Sequence, residues 1–67
     1  MKITLNNRIE LFEQNKITIS ELLKLKKFTF KMLVIKVNGE LVKKNNYNTF
    51  EINDGDNITV LHLVSGG

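Results

Sequence analysis

The sequence predicts an α+β domain, a mixed sheet of about five strands with one main helix packed on one face. Three observations carry that prediction. Short segments in which apolar and polar residues alternate recur along the chain, the period of half-buried strands. One segment, opening at Thr18, carries a helix start signal and helical periodicity. The dipeptides Asn6-Asn7 and Asn38-Gly39 stand between alternating segments, where tight hairpin turns belong. A single helix covers one face of a sheet, so a helix laid across a mixed sheet is the packing that follows.

The elements follow in order. Ile3 and Leu5 alternate with Lys2, Thr4 and Asn6, which reads as a first strand. Asn6-Asn7 tolerates a left-handed backbone and supplies the turn. Ile9 and Leu11 alternate with Arg8, Glu10 and Phe12 in a second strand, and Phe12, which breaks the pattern, is placed to cover the sheet edge. Thr18-Ile19-Ser20-Glu21 has the spacing of a capping box: the Thr18 hydroxyl accepts from the Glu21 amide while the Glu21 carboxylate reaches back to the Thr18 amide. Ile17 and Leu22 flank it as a hydrophobic staple. Ile19, Leu22 and Leu23 then share one helical face with Leu25 at its margin. Lys24, Lys26 and Lys27 fall in the expected last turn, where the helix dipole favours cations.

Phe28 is expected to close the bottom of the core, with Thr29-Phe30-Lys31 completing an irregular connection. In the β-rich run Met32 to Val37, Leu33, Ile35 and Val37 share a face. Asn38-Gly39 turns the chain and Glu40-Leu41-Val42 returns as an edge strand. Residues 43–48 read as a turn or one helical turn, with Phe50 and Ile52 pointing inward beyond it. Asn53-Asp54-Gly55-Asp56 is a tight turn, and Ile58 to Leu63 is the last strand. That strand is apolar on both faces, Ile58 and Val60 on one and Leu61 and Leu63 on the other. Burial on both sides, a phase-shifting bulge or a face left for a partner each account for it, and the partner surface is the reading we favour.

Composition narrows the function. The chain has 67 residues, enough for one domain with a small core and a net stability of about 3–5 kcal/mol. It has no cysteine, so neither a disulfide nor a thiolate metal site is available, and one histidine, His62. His62 is expected polar-side-out on its strand and has no carboxylate or serine at a spacing that makes it a general base. Asp54 and Asp56 belong to a structural turn rather than a metal pair. No apolar run is long enough to span a membrane, and the alternating start Met1 to Asn6 has no signal-peptide core, so a cytoplasmic protein is expected. The net charge of +3 invites a nucleic-acid reading. The basic residues are scattered outside Lys24–Lys31, however, and no aromatic-and-basic strand motif accompanies them.

The sequence closes on Val64-Ser65-Gly66-Gly67. Glycine lacks a Cβ, so this tail is thin enough to enter a channel that excludes side chains, and it presents a bare carboxylate. The division expected is a single domain over 1–67 with 64–67 as a flexible tail. Small frayed chain ends look the same, and the tail acquires meaning from the company it keeps.

The N-terminal hairpin, the helix opening Thr18-Ile19-Ser20-Glu21-Leu22-Leu23, the hairpin Val37-Asn38-Gly39-Glu40-Leu41-Val42, the turn Asp54-Gly55-Asp56 and the terminal Gly66-Gly67, in that order, resemble the ThiS sulfur-carrier family of thiamine biosynthesis. The resemblance spans essentially the whole chain and implies a ubiquitin-like β-grasp fold and a non-enzymatic role. It implies that Gly67 is adenylated by an E1-like, ThiF-type enzyme using ATP and magnesium. A sulfur donor such as a cysteine desulfurase then supplies sulfur for a C-terminal thiocarboxylate, which serves a ThiG-type thiazole synthase. On the same resemblance Gly66, Ser65 and Val64 form the tail, Leu61 and Leu63, with Val64, dock the activating enzyme and the thiazole synthase, the chain binds no cofactor or metal itself, and it is expected to be a monomer when free. The small subunit of molybdopterin synthase, whose tail often reads Val-Ser-Gly-Gly, is the alternative; it is usually longer and commonly has a Pro-Pro pair, whereas this chain has no proline. A basic nucleic-acid-binding domain is the distant one.

Overall fold

The computed structural model describes residues 1–29 and 32–63. Its strands are β1 (Lys2–Leu5), β2 (Arg8–Leu11), β3 (Lys16–Thr18), β4 (Leu33–Val37), β5 (Glu40–Val42), β6 (Glu51–Asn53) and β7 (Asn57–His62). One α-helix, α1 (Ile19–Leu25), follows β3, and a 3₁₀ turn occupies Lys44–Asn46. Five strands form a mixed sheet in the order β2-β1-β7-β4-β5, and β3 and β6 form a separate two-stranded pair. The first and last strands run parallel at its centre, Leu5 beside Ile58, and all other pairings are antiparallel.

Register sends one row of side chains inward. Leu5, Ile58 and Val37 lie side by side across three strands, and Val60, Ile35 and Val42 across another three. All are buried, as is Ile3, and Ile17, Ile19, Leu22 and Ile52 close the core from the other side. Most of these chains are branched aliphatics, which suit both strand backbone and close packing. No buried side-chain nitrogen or oxygen among the described residues lacks a hydrogen-bond partner.

The capping box forms as the spacing predicts. The Glu21 amide donates to Thr18 Oγ1 at 3.2 Å, and the Thr18 amide donates to Glu21 Oε1 at 2.9 Å. Both staple residues, Ile17 and Leu22, are buried. The helix stops sooner than expected. Lys24 is in the last turn, but Lys26 is the C-cap and Lys27 already has φ +57°. Lys26 is tied to Glu10 of β2 at 2.7 Å, so part of the lysine cluster is committed within the fold.

Both predicted hairpins have left-handed turns: Asn6 and Asn7 have φ of 49° and 67°, Asn38 and Gly39 of 52° and 85°. Positive φ at both central residues matches the right-handed twist of the flanking strands. The Asn53–Asp56 turn is also present, with Gly55 at φ +87°. Both of its carboxylates serve the fold. Asp54 accepts from the Lys2 amide, and Asp56 accepts from the Asn53 amide and the Asn38 side chain.

Two elements go beyond the sequence reading. It has no strand before the helix and treats Phe50 and Ile52 only as inward-pointing. In the structure Lys16–Thr18 pairs antiparallel with Glu51–Asn53, placing Ile17 opposite Ile52. Each strand is three residues long, too short for a pattern, and the partners lie far apart in sequence. The third difference concerns β2. Thr4 stands opposite Ile9 and Lys2 opposite Leu11, so both apolar residues of β2 share the face opposite the core and are 63% and 76% exposed. Alternation reveals that a strand has two faces but not which one is buried. Phe12, expected over the sheet edge, packs against the core, and its backbone pairs with Met1. Thr29 is exposed, Phe28 packs on the core as expected, and the expectations for Phe30 and Lys31 lie outside the described residues.

Two stability predictions follow from these contacts. Thr18→Ala removes the cap and should cost about 1 kcal/mol, while Ile58→Ala, at a fully buried position, should cost about 2–5 kcal/mol; urea denaturation midpoints check both. Burial also raises the pKa of Tyr47 above its ordinary 10.0. Its contribution is therefore intact below pH 10 and is lost as pH rises through the higher folded value. The alkaline fall in urea midpoint should be smaller in Tyr47→Phe.

Candidate functional site

Strand β7 leaves the centre of the sheet toward the chain's last residues. Its pairing with β4 is unbroken from Val37–Ile58 to Leu33–His62, and the Leu63 amide extends it by donating to the Met32 carbonyl at 2.9 Å. A bulge is therefore not the source of apolar residues on both faces. Ile58 and Val60 point to the core, and Leu61 lies on the opposite, open face with 50% exposure. Leu63 follows by the same alternation and is 46% exposed. β7 thus buries one row and exposes the other.

The open face around Leu61 is more apolar than the sequence reading assembled. Val34 stands directly across from Leu61, and Met32, 52% exposed, across from Leu63. Leu41 on the edge strand is 61% exposed and lies diagonally beyond Val34. These residues sit on β4 and β5, so no local pattern joins them to Leu61; the β4–β7 register does. Thr59 and Lys36 stand in line with Leu41 and make the rest of that row polar. The result is an apolar surface on the open face at the end of β7.

Of the residues singled out from sequence, Leu61 and Leu63 are brought together on this surface. Val64, Ser65, Gly66 and Gly67 lie outside the described residues. His62 is exposed, as expected. Among the described residues no group of three or more His, Asp or Glu side chains is placed to hold a metal ion. No helix among them is long and apolar enough to cross a membrane.

A helix across one face of a five-stranded mixed sheet, with parallel first and last strands at its centre and the other face open, defines a β-grasp domain of the ubiquitin-like kind. Solved structures agree. The chain superposes on the crystal structure of the thiamine biosynthesis protein ThiS from Geobacter metallireducens with a TM-score of 0.90 at 23% identity, covering 100% of both chains. The solution structure of a thiamine biosynthesis protein from the same organism gives a TM-score of 0.81 at 23% identity, covering 100% of this chain and 88% of that one. At that identity the likeness establishes the fold. A search of curated proteins gives no match.

The sequence itself supplies the family: the model of the ThiS family matches residues 3–67, and the chain belongs to that family. Its members are non-catalytic sulfur carriers that bind no cofactor of their own.

Because Leu61 is exposed and outside the core, Leu61→Asp should leave the fold intact, with a urea midpoint change corresponding to no more than about 0.5 kcal/mol. The same measurement on Val60→Asp, one residue away and buried, should show a loss several times larger.

Proposed function

We propose that this chain carries sulfur to the thiazole ring of thiamine, and that the carboxylate of Gly67 is the group that bears it. A carboxylate resists nucleophiles, because resonance and negative charge shield its carbon, so an oxygen must first become a leaving group. A ThiF-type enzyme supplies this step: the Gly67 carboxylate attacks the α-phosphorus of ATP, pyrophosphate leaves, and an acyl-adenylate forms. The terminal sulfur of a persulfide, generated by a donor such as a cysteine desulfurase, displaces AMP. Cleavage of the resulting disulfide by a thiol leaves the sulfur on Gly67 as a thiocarboxylate, ready for a ThiG-type thiazole synthase.

The observation that carries this reading is the juxtaposition at the end of β7. Leu61 and Leu63 form an exposed apolar step on the open face immediately before the four tail residues. A partner that binds the step has the tail delivered to it. Val64 and Ser65 span the gap, and Gly66 provides a backbone without side-chain bulk for a narrow catalytic channel. The membership in the ThiS family and the thiamine-biosynthesis role of the structurally similar Geobacter metallireducens protein support thiamine as the destination. This chain contributes no catalytic side chain; the nucleotide and the magnesium ion belong to the activating enzyme.

The test is intact-mass spectrometry after incubation with a ThiF-type enzyme, ATP, magnesium and a persulfide donor. One oxygen-for-sulfur exchange is expected, lost on deletion of Gly67 and slowed at least tenfold by Leu61→Asp. Absence of the exchange, or its persistence without Gly67, would refute the proposal. Capture of the large subunit of molybdopterin synthase instead of thiazole synthase would redirect the carrier to the other pathway.

A further inference from the structure

The edge strand β2 is the part of the sheet that the carrier role leaves unexplained. Met1 and Phe12 exchange both backbone hydrogen bonds, at 2.7 and 2.8 Å. Bonded and non-bonded pairs alternate along an antiparallel ladder. Ile3–Glu10 and Leu5–Arg8 are therefore bonded pairs, while Ile9 and Leu11 turn their N–H and C=O groups away from β1. β2 is the outermost strand at this end of the sheet, so those groups face outward. The two side chains beside them are among the most exposed large apolar residues described. Natural edges are commonly blunted by charge, proline or a bulge. The opposite edge, β5, is three residues long and runs straight into Lys43 and Lys44. β2 offers four residues with no lysine among them.

We propose that β2 pairs antiparallel with β2 of a second copy of this chain, about a two-fold axis at Glu10. This register is self-complementary. Ile9 of one copy lies opposite Leu11 of the other, so both outward-facing pairs of backbone groups are used, and two open-face Ile–Leu contacts form. On the core-side face the two Glu10 side chains meet at the axis. Each already holds its own Lys26 at 2.7 Å. Arg8 of the other copy falls in the diagonal position, about 7–8 Å away and within reach of a long side chain. Arg8 has no ion-pair partner among the described residues of its own chain. Pairing therefore sets four cations around two carboxylates and brings a second carboxylate to each Arg8, beside the Glu10 of its own chain that lines the same hollow. The surface around Leu61 lies at the other end of the open face, two strands away from β2, so a paired carrier still presents both docking surfaces.

A contact of this length is far below the roughly 1,600 Å² of a standard stable interface, so the dimer is a weak one that forms at high concentration. Sedimentation equilibrium from about 10 μM to about 1 mM spans the range where such affinities are read. The mass should rise toward that of a dimer, and exchange of the Ile9 and Leu11 amides should slow with concentration. Leu11→Lys and Arg8→Glu, both at exposed positions, should each weaken association at least tenfold with an unchanged urea midpoint, and Leu61→Asp should leave it unaltered. A monomer throughout the range overturns the proposal. So does a dimer that survives Leu11→Lys, or one lost in Leu61→Asp, which would place the contact on the other end of the open face. The result is independent of sulfur transfer, which is read from Gly67 alone.

Discussion

The parallel pairing of β1 and β7 is the constraint on which the rest of the structure rests. It brings the first and last strands together at the centre of the sheet, with Leu5 beside Ile58. Few backbone bonds hold this seam, and side chains reinforce it. Beyond the last paired residue, Asn6 bonds Ile58 through its backbone, and its side-chain amide both donates to and accepts from Val60, at 3.2 and 2.8 Å. One asparagine side chain thus imitates another residue of strand. Without the seam β7 would lose its place between β1 and β4, and the apolar row that ends at Leu63 would lose its direction.

Asparagine and aspartate at the other end of the seam act in the same way. The Asn38 backbone and side chain both bond Asn57, and the Asn38 side chain also donates to Asp56. The β4–β5 turn is thereby fastened to the entry of β7. Lys2 is held at its amide by Asp54, and the Gly55 amide donates to the Lys2 carbonyl. In a domain with so small a core, these contacts position the turns. They are short polar residues whose side chains substitute for backbone partners, which gives the abundance of asparagine a structural use.

The pattern of legibility follows from the range of each interaction. The capping box, both hairpin turns and the Asn53–Asp56 turn are local devices, written within a few residues, and each is present where the sequence places it. The inward rows of β1 and β4 are legible because alternation and apolarity agree there, whereas β7 shows two apolar rows without saying which is buried. What depends on long-range register is not. Ile17 and Ile52 are both apolar, yet nothing near either residue says that they face each other across β3 and β6. Ile9 and Leu11 look like core until Thr4 is seen opposite Ile9. The same holds for the candidate site. Leu61 and Leu63 stand out as the surplus apolar row of a two-faced strand, whereas Val34, Met32 and Leu41 join them only through pairing with β4 and β5.

One helix of seven residues cannot cover both faces of five strands. The fold resolves this by dividing labour between faces: the covered face supplies stability, and the open face is available for contact. For a non-catalytic sulfur carrier that division is useful, because no catalytic pocket is needed. Recognition must then come from surface, and the apolar surface at the end of β7 is the row that the helix never reaches. A more complete covering, by a second helix for instance, would stabilise the domain while hiding Leu61. The modest core and the exposed leucines are in this sense two consequences of the same packing choice.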